Sequence, residues 1–146
     1  MCFIFSLCQL FAFRFKKEID GVEQTFEVET DPVLKQVFEF YNLLYFDNKI
    51  DIAEVGWTDC DKFIAATYFY PSSKKVMFAV SKPRTDKLKL FKDITQQKKY
   101  DWLVCHELIH GYLVQYEEPD LTHTSPGWKK WANWFRKEKG VKIIDK

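Results

Sequence analysis

Five consecutive residues, His106-Glu107-Leu108-Ile109-His110, constrain this chain more than any other stretch. Residues four apart on an α-helix share a face one turn apart, so the two imidazoles can meet at one cation if the stretch is helical. Leu103, Leu108, Ile109, Tyr112, Leu113 and Tyr116 leave little polar surface around the motif. A helix apolar nearly all round is a buried one. The periodicity predicts one long helix over about residues 94–116, central in the fold.

Two histidines do not make a catalytic metal site, which takes three protein ligands and leaves one position open. His123 is the remaining histidine of the three in the chain, in a polar loop just beyond the helix. The expected ligand set for Zn2+ is therefore His106, His110 and His123. Glu107 is next round the helix from His106 and borders the same site without ligating. A carboxylate there suits the catalytic role: it takes a proton from a metal-activated water that attacks a peptide bond, and passes it to the leaving amine. The metzincin layout needs Gly three residues and His six residues after the second motif histidine. Those positions hold Leu113 and Tyr116, which excludes that class. Glu117, Glu118 or Glu138 as third ligand is the alternative, disfavoured by closeness to the helix end or by neighbouring lysines. Cys105 points about 100° away from His106 on the helix and is expected to pack. Tyr112 and Tyr116 can donate to an oxyanion but fit core packing better.

The other elements are short. Thr30-Asp31-Pro32 is a helix start, with a capping side chain before proline, and Val33, Val37, Phe40, Tyr41 and Leu44 carry a helix from about 32 to 46. Strands are expected near residues 52–57, 63–70 and 75–80, with hairpin-length links that imply a small antiparallel three-stranded sheet. Pro126 opens a last helix bearing Trp128, Trp131 and Trp134, whose spacing suits a core face better than a base-stacking platform. Tyr68 and Tyr70 lie on a strand that can border a substrate cleft and pair with an extended peptide.

Residues 1–13 are nearly all apolar, but a bilayer span takes about 20 such residues. Alternating Phe11, Phe13, Phe15 and Lys17, then Asp20-Gly21, then Val22, Gln24, Phe26 and Val28 predict a β-hairpin instead. No stable membrane insertion is expected. Cys2, Cys8, Cys60 and Cys105 show neither zinc-ribbon spacing nor a disulfide framework, which points to reduced thiols and an intracellular setting, cytoplasmic or, in a eukaryote, nuclear. A length of 146 residues suits one core, and 47% hydrophobic with 18% aromatic content excludes a disordered chain. The net charge of +1 names no partner, since chains that live on nucleic acid are usually more basic. Clusters of basic residues between Lys82 and Lys99 and from Arg136 to Lys146 read as solvated faces.

Over roughly residues 32–139 the chain resembles the SprT-like (Spartan-type) zinc metalloprotease domain. The similarity rests on FYNLLYFDNKI, VGWTD, FIAATYFYPSSKKVMFAVSKP, the helix YDWLVCHELIHGYL and, most tellingly, HTSPGWKKWANWF. The resemblance implies an α+β zincin-like fold, with the sheet packed on a central HExxH helix between flanking N- and C-terminal helices. It also implies zinc on His106, His110 and His123, with Glu107 as base. Its best-known members cleave proteins crosslinked to DNA, which adds DNA-bound protein to protein or peptide as expected substrate. The sequence divides accordingly into a hydrophobic hairpin segment, 1–31, and the metallopeptidase domain, 32–146. It carries no cysteine zinc ribbon of the kind many relatives have. The competing readings are a nucleic-acid-associated module with a non-proteolytic zinc, and an accessory protein tethered through residues 1–13.

Overall fold

Alternation of apolar and polar residues builds the first two strands. A computed structural model describes residues 12–116 and 122–144. The expectations for residues 1–11, for Glu117 and Glu118 and for the helix stop at Pro119 lie outside the described residues. Strand β1 (Ala12–Ile19) pairs antiparallel with β2 (Val22–Thr30), and Ile19 faces Val22 across a two-residue turn. Asp20 and Gly21 have φ of 53° and 79°, the double positive φ that Asp-Gly supplies in a type I′ turn.

Asp31 then ends the strand and starts helix α1 (Pro32–Phe46). Its Oδ1 accepts from the backbone N–H groups of Val33 and Leu34 at 2.8 and 3.3 Å, while Oδ2 accepts from the Trp57 indole at 2.8 Å. One side chain thus caps the helix and ties it to strand β3 (Ile52–Thr58). The connection back is held by buried Asn42, which donates to the Ile50 carbonyl and accepts from the Ile50 N–H.

The sheet has five strands in the order β1-β2-β3-β5-β4, with β4 spanning Ala65–Tyr70 and β5 Lys75–Ser81. This corrects the expected three-stranded antiparallel sheet on two counts. The hairpin joins the sheet through β2, where Glu29 and Thr30 face Trp57 and Gly56. β3 and β5 run parallel, and β4 lies outside β5 as an edge strand. The link over residues 59–64 carries the chain past one strand position, so consecutive strands β3 and β4 are not neighbours. Turn signals alone cannot register that skip, because they mark where a strand ends and not where the next one lands.

Helix α2 (Lys82–Lys87) follows β5, and the motif helix α3 spans Asp101–Tyr116. The start of α3 lies seven residues later than the expected 94. The Asp93 carboxylate accepts from the N–H and hydroxyl of Thr95, a local bond that competes with helix formation. A single 3₁₀ turn at Gln97–Lys99 leads into α3. The last helix, α4 (Pro126–Trp134), is capped by Ser125 and widens into a π-turn, Phe135–Lys139, that ends at Gly140 with φ 67°.

Helices α1 and α3 pack on one face of the sheet, and α4 packs against α3. Phe38 stacks on Phe78 at 4.9 Å, and Leu103, Leu108, Ile109 and Leu113 are fully buried. On the other face the sheet coils enough for Phe15 of β1 to reach Phe63 and Tyr68 at 5.9 and 6.4 Å between centroids. Ala66 and Ala79, paired across β4 and β5, leave room for that contact. Among the described residues no helix is long and apolar enough to cross a membrane.

At Gly56 of β3 an added Cβ would sit 2.3 Å from the Glu29 carbonyl oxygen. Gly56→Ala must push β2 from β3 and is expected to cost about 1–3 kcal/mol, the usual penalty for overpacking. Urea unfolding monitored by tryptophan fluorescence checks this; an unchanged midpoint would contradict it.

Candidate metal centre

His106 and His110 lie one turn apart on α3, on the side facing β4 and the start of α4. Gly111, next to His110, lets α3 approach β5, since a Cβ there would stand 2.9 Å from the Phe78 ring. His123 comes from the loop before α4. Its position is set two residues on, where the Ser125 hydroxyl accepts from the Trp128 N–H at 3.2 Å and Pro126 opens the helix. The Trp128 indole, 1% exposed, then forms a wall against all three imidazoles at 4.5–4.7 Å between centroids and stacks nearly parallel on His110.

The three Nε2 atoms form an almost equilateral triangle: 3.2 Å from His106 to His110, 3.1 Å from His110 to His123 and 3.1 Å from His123 to His106. Bonds of about 2.0–2.1 Å at a tetrahedral ion place its ligand atoms about 3.3–3.4 Å apart, so the triangle is close to one face of such a site. The donor chemistry agrees. His106 Nδ1 lies 2.6 Å from the Ile144 carbonyl oxygen, which can only accept, so Nδ1 carries a proton and in the neutral ring Nε2 presents its lone pair. Burial above all, and then the neighbouring imidazoles, hold His110 well below the usual imidazole pKa, so its ring is neutral. Its Nδ1 is buried and has no hydrogen-bond partner among the described residues. Three imidazoles with converging nitrogens can bind a metal ion.

Glu107 is 3% exposed and stands beside the triangle, its Oε2 3.7 Å from His106 Nε2. Its Oε1 accepts from the Thr67 hydroxyl of β4 at 2.8 Å. Burial raises the carboxyl to about 7, against the opposing pull of the Thr67 bond and of Lys17 and His123. These groups open on a cleft of about 320 Å³ between α3, β4 and the tip half of the hairpin.

His106, His110, His123 and Glu107 therefore gather at one place, and other residues named from the sequence do not. Cys105 is fully buried in the core, where burial pushes its thiol pKa up. Tyr112 packs on Phe46 and Trp131. Tyr116, expected in the core, is 52% exposed, and its hydroxyl donates to the Lys49 carbonyl. Glu138 lies in the π-turn, exposed and away from the cleft. Sequence reasoning missed Thr67, Trp128 as a wall, and the Ile144 carbonyl. Only Trp128 had a signal, its fixed distance after His123 and the Ser-Pro helix start.

Loss of one imidazole leaves two ligands. His123→Ala is expected to weaken metal binding by more than the about 10–100-fold that removing an outer-shell partner costs. Native mass spectrometry should show one ion per wild-type chain and none on the variant. Chelation should lower the melting temperature of wild type alone, because metal that binds only the folded state stabilises it. Equal metal content in both proteins would remove His123 from the site.

No protein-family model matches this chain, and neither a curated protein nor a solved structure matches it.

Proposed function

We propose that the chain is a zinc-dependent peptidase of the SprT-like kind. The observation that carries the reading is the Glu107 carboxylate, buried 3.7 Å from a metal-facing imidazole nitrogen and opening on a cleft. A structural zinc site is closed by four protein ligands, whereas three histidines leave one position for water or substrate. A zinc ion held there supplies Lewis acidity, which lowers the pKa of water toward neutrality and polarises a carbonyl.

The chain's own groups supply the rest. Thr67 fixes one Glu107 oxygen by hydrogen bonding and leaves Oε2 turned toward the imidazoles. Burial brings that carboxyl close to neutral pH, where a base can take a proton and later return it to a leaving amine. The Ile144 carbonyl holds the His106 ring and its tautomer. β4 is the end strand of the sheet and borders the cleft through Ala65, Ala66 and Thr67, so an extended peptide can add to it by main-chain pairing. The similarity of the motif, of the His123 loop and of the tryptophan helix to SprT-like domains supports the same reading.

Glu107→Gln keeps the size and the Thr67 partner but cannot accept a proton. It is expected to retain one zinc and to lose about 10²–10⁴-fold in peptide turnover, the usual contribution of a general base. A quenched-fluorescence peptide assay, run beside zinc quantification, measures both. Undiminished turnover in the zinc-loaded variant would reject the base.

A further inference from the structure

The cleft has a sign. Among the described residues, Lys17 of β1, Lys62 from the loop before β4 and Arg84 of α2 all line it, and Glu107 is the one carboxylate on its walls. These cations come from three separate elements. Lys17 follows Phe13 and Phe15 on the inward face of β1, so the two-residue period of the strand carries it one pleat beyond the packed phenylalanines. There it rests over the Phe63 ring at 5.8 Å, which steers its ammonium over the cleft wall. Arg84 is half-buried as a residue, and its Nη1 donates to the Asp61 main-chain carbonyl at 3.2 Å, an anchor that leaves the charge unneutralised. None of the three forms an ion pair among the described residues. A divalent ion on the histidines adds charge of the same sign.

We infer that this cleft selects peptides bearing carboxylate side chains next to the bond to be cut, with Lys17, Lys62 and Arg84 receiving them. The inference rests on the peptidase reading and names its substrate class. Clefts lined by one sign of charge focus the field and concentrate ligands of the opposite sign. The arrangement fits carboxylates better than a nucleic-acid strand. A strand needs cations tracking several phosphates and open aromatic faces. Here the cations crowd a single cleft of about 320 Å³, and the aromatic ring within it, Phe63, is engaged by Phe15, Phe26 and Lys17.

The test compares two fluorescein-labelled decapeptides of Gly, Ala and Ser, one with Glu at alternate positions and one with Gln there. Binding is measured by anisotropy on zinc-loaded Glu107→Gln, and cleavage on wild type. The Glu peptide is expected to bind and be cut at least about tenfold better at low salt, within the range such steering produces. Lys17→Met with Lys62→Met should bring the ratio to about twofold or less, with the apolar stem over Phe63 kept. Lys130→Met, exposed on α4, removes a charge outside the cleft and should leave the ratio alone. A ratio near one in unmodified side chains, or one that survives the double substitution, overturns the inference. Displacement of the Glu peptide by a 15-mer of oligothymidylate at lower concentration than by unlabelled Glu peptide also overturns it, in favour of a nucleic-acid groove. Absence of cleavage with retained Glu selectivity in binding would sink the peptidase reading instead. Cleavage without Glu selectivity would sink the substrate class alone.

Discussion

A helix buried on nearly every side must find partners for whatever polar groups it carries, and α3 gathers its own at one point. His106, Glu107 and His110 are 2–6% exposed, set among leucines and isoleucine that are fully buried. Unpartnered, each would cost about 1–3 kcal/mol or more in that setting. Convergence of the imidazole nitrogens with His123 turns this liability into a face that could hold a metal ion, and the Thr67 hydroxyl takes up the carboxylate. Nδ1 of His110 finds no hydrogen-bond partner among the described residues, so not every polar atom there is relaxed to achieve it. Much of the architecture can be understood as support for that helix. β5 lies under it at Gly111, α4 sets Trp128 against its histidines, and β4 supplies Thr67.

Two segments far apart in sequence complete the centre. Beyond Gly140, which turns the chain through a left-handed conformation, the C-terminal stretch returns to place the Ile144 carbonyl on His106. At the other end, the β1–β2 hairpin coils over the sheet face away from the helices and delivers Lys17 to the cleft. The first fixes ring orientation, which matters for a ligand because the proton on one nitrogen decides what the other can bind. The second sets the electrostatic character of the approach. Neither would be guessed from the motif, and both depend on packing that the hydrophobic face of β1 and the π-turn after α4 establish.

What could be read from the sequence was what a local rule governs. Asp20-Gly21 specified its turn because both residues tolerate positive φ, and Asp31-Pro32 specified its helix start because cap and proline act within one turn. The histidine pair was legible because helical geometry alone aligns it, and the approach of His123 to it because the chain holds no other histidine. The parallel pairing of β3 with β5 was not legible, since it is decided by which edge the next strand reaches. The late start of α3 was hidden in an Asp93–Thr95 bond that a periodicity scan does not weigh. Thr67 carries no pattern that separates it from any other strand threonine, and the Ile144 carbonyl is a main-chain group that every residue has.

Trp128 marks the boundary between these cases. Its spacing with Trp131 and Trp134 correctly indicated a helix face turned inward, yet that inward direction leads to the imidazoles as well as to the core. The central claim, that these rings share one cation, is tested most directly by a crystal structure of the protein as purified, with anomalous data on both sides of the zinc edge. The predicted result is a single edge-dependent peak within about 2.0–2.1 Å of the Nε2 atoms of His106, His110 and His123, with a fourth position open beside Glu107. An edge-dependent peak elsewhere, or His123 turned away from an empty pair on α3 in crystals grown with excess zinc, would contradict it.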